Sequence, residues 1–270
     1  MNVGFIGMGN MGQMLVTALA RSKVFQPGDI FANTRSQEKL RRLSDAIPGI
    51  QVAYSNRELV QRCPVFFLCV KPNETKAVLD EAGPYITPDH LLVSITNTID
   101  MPVLERAVKA RVAKVIPSVV QSVHEGVSLL MFGERCTPED KGLLHRLMGA
   151  ISQPMVVQES QARVASDLTS CGPAFLSYGF RALAQAARHY QPDLPPDMVD
   201  RMIRTTAAAT CRLIEQTGMT FDDIIAKVST PGGITADGIT VLDEQMAGVW
   251  EQVIETTIVK EEAKKARVEL

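Results

Sequence analysis

The hydrophobic pattern of this chain changes period once, near residue 160. Before that point short apolar runs alternate with segments whose apolar residues recur at three and four spacing, the pattern of strands and helices wound about a parallel sheet. The runs fall at residues 3–6, 29–33, 50–54, 65–70, 91–95, 111–116 and 127–132. Val65 to Val70 is apolar without interruption, as a central strand covered on both faces should be. Helices are expected over 37–46, 55–63, 74–85 and 100–108, and from Thr137 onward. Several carry start signals. Ser36 is placed to cap one, Ser55 with Glu58 forms a capping box, Asp100 stands as a cap ahead of Pro102, and Thr137-Pro138-Glu139-Asp140 combines cap, proline and acids. The reading is a doubly wound Rossmann-type α/β domain over residues 1–159, closing near Pro154 to Gln158.

From Ser160 the period is helical throughout, with helices expected over 164–169, 174–190, 197–217 and 241–266. Pro192 to Pro196 makes a loop, and Gly218 ends a helix. Residues 160–270 therefore read as an all-helical domain. Thr205 to Thr210 place small residues at close-packing positions, and so apolar a helical layer predicts a second copy to pack against. A homodimer is the expected assembly.

A length of 270 residues suffices for two cores. The net charge of −2 argues against nucleic acid or an anionic membrane and favours a small-molecule ligand. Five widely spaced cysteines without a C-x-x-C pair, and four scattered histidines, read as reduced thiols in a cytoplasmic protein with no metal site. No signal peptide or membrane span is expected.

Against that background the first dozen residues stand out. Gly7, Gly9 and Gly12 fall on G-x-G-x-x-G spacing between an apolar run and a helix. Gly7 suits the tight bend, Gly9 a close approach to pyrophosphate, and Gly12 close packing of helix on strand. The anion would meet free N–H groups and the positive end of the helix dipole. Where the second strand ends, an acid would select an unphosphorylated ribose. The chain has Asn33-Thr34-Arg35-Ser36, which suits a 2′-phosphate, so NADPH is expected, with NADH the alternative. Val70, Lys71 and Pro72, at the carboxyl end of a strand, are further candidate cofactor contacts.

A second stretch, Ser229-Thr230-Pro231-Gly232-Gly233-Ile234-Thr235, precedes a helix. Its Gly-Gly turn could gather backbone N–H groups into a nest for a carboxylate, with the Ser229, Thr230 and Thr235 hydroxyls orienting the ligand.

Three motifs, the opening Gly7, Gly9, Asn10, Met11, Gly12 pattern, Val70-Lys71-Pro72, and Ser229 to Asp243, match in order over nearly the whole chain. The sequence resembles the pyrroline-5-carboxylate reductase family. The resemblance implies NAD(P)H-dependent reduction of the cyclic imine Δ1-pyrroline-5-carboxylate to proline by a Rossmann domain joined to a helical dimerisation domain, in dimers that can assemble further. It places Asn10 and Met11 with the cofactor, and Ser229, Thr230, Gly232, Gly233 and Thr235 with the substrate, Thr235 near the imine nitrogen. Such chemistry needs positioning rather than a catalytic His or Cys. The chain departs from the usual family pattern at Ser94-Ile95-Thr96-Asn97-Thr98, at Ile116-Pro117-Ser118-Val119-Val120 and at Thr169 to Phe175. These variants, with Arg163 to Asp167, resemble the family's late-competence branch, for which a nucleotide site with a regulatory role, or another substrate, is the alternative.

Overall fold

The computed structural model describes residues 1–268. Eight strands form one sheet: β1 (Val3–Ile6), β2 (Ile30–Asn33), β3 (Gln51–Val52), β4 (Val65–Leu68), β5 (Leu91–Ser94), β6 (Arg111–Ile116), β7 (Val127–Phe132) and β8 (Gln153–Val156). Their order is β3-β2-β1-β4-β5-β6-β7-β8, which reverses direction between β1 and β4. That reversal opens the crevice where such sheets take ligands. Every pairing is parallel except β6 with β7. The exception follows from a short connection: a 3₁₀ turn over Val119–Val123 ends at His124, whose φ of 60° turns the chain back.

Helices α1 (Asn10–Arg21), α2 (Gln37–Ala46), α3 (Asn56–Arg62), α4 (Pro72–Ala82), α5 (Met101–Ala107) and α6 (Pro138–Gly149) cover the two faces of the sheet. Two buried apolar clusters result. One joins Val3, Phe5 and Phe67 to Leu15 and Leu19, with the Phe5 and Phe67 rings stacked at 4.8 Å. The other joins Phe66, Leu68 and Leu92 to Leu59, Leu79 and Leu104. Continuous burial of β4 explains its unbroken apolar run.

The remaining helices are α7 (Ala162–Thr169), α8 (Gly172–Tyr190), α9 (Pro196–Thr217), α10 (Phe221–Val228), α11 (Ile234–Met246) and α12 (Val249–Lys265). By contacts the chain forms two compact units, one of Met1–Pro173 with Thr256–Leu270, the other of Ala174–Glu255. In the second unit Ala184 and Val199 are the only fully buried apolar residues among those described, while Leu176, Tyr178, Phe221 and Trp250 are exposed. A helical unit with so small a core of its own needs further apolar surface to cover it.

The helix starts at Ser36, Ser55 and Thr137 follow the sequence pattern. Ser36 accepts from Lys39 N at 3.4 Å, Ser55 from Glu58 N at 3.0 Å, and Thr137 from Asp140 N at 3.3 Å. The Ser55 box is half formed, because Glu58 accepts from Tyr54 N at 2.9 Å instead of from Ser55. Three expectations need correction. Asp100 precedes α5 but makes no side-chain cap; its carboxylate pairs with Lys265 Nζ at 2.7 Å. The single helix expected over 241–266 is two, because Gly248 takes a φ of 74° between α11 and α12. Helix α10 lies outside the helices that the spacing predicts, and Thr220 starts it with a complete capping box to Asp223.

Candidate functional site

The glycine turn has the geometry its spacing implies. Gly7 adopts φ 100°, and its N–H donates to the Asn33 carbonyl at 2.8 Å, so the turn is tied to the end of β2. A Cβ on Gly7 would stand 2.8 Å from both the Cys69 carbonyl and Val70 Cγ1. A Cβ on Gly12 would stand 2.2 Å from the Gly7 carbonyl, so α1 can approach the turn only as glycine. Gly9 differs from both: a Cβ there would meet nothing within 4 Å. Its missing side chain serves no packing inside the chain and leaves open the place where a pyrophosphate would lie.

Gly9 caps α1 with extended backbone, and the first turn of α1 carries no acidic residue. The leading N–H groups of Asn10, Met11 and Gly12 have no intrahelical acceptor and point with the helix dipole toward an anion. Gln13 stiffens the turn, donating from Nε2 to the Met8 carbonyl at 3.0 Å. Burial pushes the neighbouring Cys69 thiol up, which keeps it uncharged where a thiolate would repel phosphate.

At the β2 end the expected residues play different parts. Asn33 is buried and its Nδ2 donates to Asn56 Oδ1 at 2.7 Å, which commits the side chain to the fold. Ser36 caps α2. Arg35 is 88% exposed and pairs with Glu74 from the first turn of α4. Val70 lies against the glycine turn, Lys71 caps α4 through its backbone, and Pro72 occupies the first helical position. The chain thus brings Gly7, Gly9, Gly12, Val70 and Asn33 to one edge of the sheet.

The second loop belongs to the helical unit. Ser229 ends α10, Gly232 takes φ 75°, and Gly233 donates to the Thr230 carbonyl at 2.9 Å before α11 begins. A Cβ on Gly233 would stand 2.8 Å from Thr230 Oγ1. Ser229 Oγ is shut from solvent and has no hydrogen-bond partner among the described residues. Ile234 is 92% exposed, and Thr235 beside it is exposed in the first turn of α11.

Sequence reasoning missed a polar cluster in the sheet unit. Lys114 lies in β6 with no exposed surface and pairs with Glu159 at 2.7 Å. Burial lowers the Lys114 pKa, with Glu159 opposing the shift. A lysine inside the apolar run Val112 to Ile116 was the available signal. Nearby, Glu261 of α12 is 5% exposed and accepts from Asn97 Nδ2 at 2.9 and 3.1 Å and from Arg163 Nη1 at 2.7 Å. Arg163 Nη2 also reaches Asp167 at 2.7 Å, and Asp167 accepts from Thr257 Oγ1 at 2.6 Å.

Turn, helix start and sheet reversal together define a Rossmann-type dinucleotide-binding protein. Residues 2–98 match a family described as NADP oxidoreductase, coenzyme F420-dependent, and residues 159–264 match pyrroline-5-carboxylate reductase dimerisation. The chain is 34% identical over 97% of its length to ComE operon protein 4 of Bacillus subtilis (strain 168), covering 96% of that protein. It is 30% identical over 90% of its length to pyrroline-5-carboxylate reductase 3 of Rattus norvegicus, covering 88% of it. Its fold matches the crystal structure of Plasmodium falciparum pyrroline carboxylate reductase with NADP bound, with a TM-score of 0.85 and 21% identity over 99% and 98% of the two chains. The chain belongs to the pyrroline-5-carboxylate reductase family. Among the described residues no helix is long and apolar enough to cross a membrane.

Proposed function

We propose that the protein reduces Δ1-pyrroline-5-carboxylate to L-proline with NADPH, as a cytoplasmic homodimer. Residues 1–159 serve the nucleotide, and residues 160–270 serve dimerisation and substrate. The observation that carries the reading is the Ser229–Thr235 loop, with its Gly232-Gly233 turn at the start of α11 and the orphaned Ser229 hydroxyl. With the N–H groups of Ser229, Thr230 and Gly233 already given to the Ile225, Val228 and Thr230 carbonyls, the loop offers a small carboxylate the leading N–H groups of α11, a favourable dipole and hydroxyls.

When bound, the dinucleotide supplies the hydride. The turn at Gly7, Gly9 and Gly12 and the N–H groups of Asn10 and Met11 hold its pyrophosphate; Thr34, Arg35 and Ser36, on the frame made by Asn33, meet its adenosine end, and Val70, Lys71 and Pro72 border its path. Ser229, Thr230, Gly232 and Gly233 hold the substrate carboxylate. Thr235 hydrogen-bonds at the ring nitrogen and keeps the electrophilic carbon oriented.

The test is NADPH oxidation with Δ1-pyrroline-5-carboxylate, beside the proline-dependent reverse reaction at high pH. Thr235→Ala is expected to lower turnover about a hundredfold while NADPH affinity holds. Unchanged turnover in that variant would remove Thr235 from the site. Cofactor choice has its own test. Because Glu74 neutralises Arg35, Glu74→Ala should raise the NADPH over NADH affinity ratio by about threefold, the scale of one exposed ion pair. An unmoved ratio would exclude Arg35 from 2′-phosphate recognition.

A second reading is favoured by the similarity to ComE operon protein 4 and by the Ser118-Val119-Val120 departure, whose valines enter the 3₁₀ turn beside α1. It is a nucleotide-binding dimer with a regulatory role in competence, or a reductase of another imine or keto substrate. NADPH binding without turnover in either direction would select it.

A further inference from the structure

The loop between β5 and α5 leaves the carboxyl edge of the sheet on the side of the β1/β4 reversal away from β2. A dinucleotide whose adenosine end lies at β2 and whose pyrophosphate lies on the glycine turn directs its nicotinamide toward that side. The loop is stiff. Thr96 Oγ1 and Thr98 Oγ1 are 2.9 Å apart, Thr98 N donates to Thr96 Oγ1 at 3.3 Å, and Thr96 N donates to Ser94 Oγ at 3.4 Å. The Asp100 pair with Lys265 fixes its far end.

Within this loop the Asn97 amide is oriented by charge. A carboxylate only accepts, so the end of the amide facing Glu261 must be the donating Nδ2. The opposite orientation would set Oδ1 against a buried anion. Arg163 and Lys265 hold that anion in place, at 2.7 and 3.5 Å. Oδ1 is therefore turned away from Glu261, an acceptor on a rigid loop. The cavity of about 270 Å³ lined by Thr98, Arg163, Cys171, Lys260 and Glu261, among others, does not include Asn97, so Oδ1 faces away from its Glu261 wall.

We propose that Asn97 Oδ1 accepts a hydrogen bond from the nicotinamide carboxamide N–H, and that Glu261, through its hold on Nδ2, is the positioning residue that sets this contact. The inference rests on the NADPH reading of the site and is independent of which substrate is reduced. Asn97 selects a cofactor whose ring carries a donating amide.

The test compares affinities for NADP⁺ and for its 3-acetylpyridine analogue, whose methyl ketone has no N–H, by titration calorimetry. The wild-type protein is expected to favour NADP⁺ about tenfold, the scale of one hydrogen bond with a well-placed acceptor. Asn97→Ala should bring the ratio close to one, chiefly by weakening NADP⁺, and Glu261→Gln should reduce it to an intermediate value. A role confined to holding the fold would change both affinities together and leave the ratio alone. A wild-type ratio near one, or a wild-type ratio retained in folded Asn97→Ala, overturns the proposal. Binding of neither nucleotide by the wild-type protein would instead bring down the cofactor reading on which it rests. Asn97→Ser, which keeps a short polar side chain, supplies the ratio should Asn97→Ala fail to fold.

Discussion

Gly9→Ala is expected to abolish most nucleotide affinity in a protein that folds as well as the wild type, while Gly12→Ala loses both affinity and stability. The two glycines lie three residues apart and do different work. A Cβ on Gly9 meets nothing within 4 Å, and its φ of −74° is open to any residue. The fold should tolerate alanine, with a small gain from a stiffer unfolded chain. A methyl group where the pyrophosphate must approach should weaken NADPH binding by at least about tenfold, or 1.4 kcal/mol. A Cβ on Gly12 stands 2.2 Å from the Gly7 carbonyl. Backbone must move, at a cost of about 1–3 kcal/mol or more, and the phosphate turn moves with it. Fluorescence titration with NADPH and thermal melts of both variants check this. Equal melting temperatures would show that Gly12 is not the packing contact it looks to be, and undiminished binding by Gly9→Ala would move the pyrophosphate elsewhere.

The second large effect lies beneath the sheet. Removing the partner of a buried charge costs more than the pair contributes, because the remaining ion loses both water and its counterion. Glu159→Ala leaves Lys114 in that condition and also removes the acceptor of Met101 N, at 2.7 Å, at the start of α5. Since Glu159 is itself 28% exposed, about 2–4 kcal/mol of destabilisation is expected, below the cost of a fully buried pair. Combining it with Lys114→Met should recover most of the loss, because no unpaired charge remains. The pH dependence has a definite sign. The folded Lys114 pKa is lowered, so the unfolded chain binds more protons between that value and the ordinary 10.5. Stability from this group is lowest below the folded pKa and rises through that alkaline window, more steeply in Glu159→Ala. Denaturant melts from neutral to alkaline pH test it; a variant whose deficit widens as pH rises would contradict the assignment.

What the sequence revealed and what it hid divide by range of interaction. The glycine turn, the caps at Ser36, Ser55 and Thr137, and the buried run of β4 are set by neighbours a few residues away, so spacing alone discloses them. Spacing does not disclose the break at Gly248, because apolar residues continue on both sides at helical spacing and only its positive φ marks it. Asp100 has the sequence context of a cap, but a lysine 165 residues further on takes its carboxylate. Glu261 meets Asn97 across 164 residues, a pairing that no local pattern encodes. The adenosine end lies between these cases. Arg35 was legible as a cation at the right strand end, but its neutralisation by Glu74, 39 residues away, was not.

The sheet unit takes some of its pieces from a segment distant in sequence. Residues 256–268 belong with 1–173, and Glu261 among them completes the charge balance around Arg163. During synthesis the nucleotide-binding half therefore leaves the ribosome unfinished, its Asn97 loop unheld and Arg163 paired with Asp167 alone, while residues 174–255 are still being added. Cotranslational folding from the amino end can build the sheet, but the Asn97 loop acquires its final form only once Glu261 has been made.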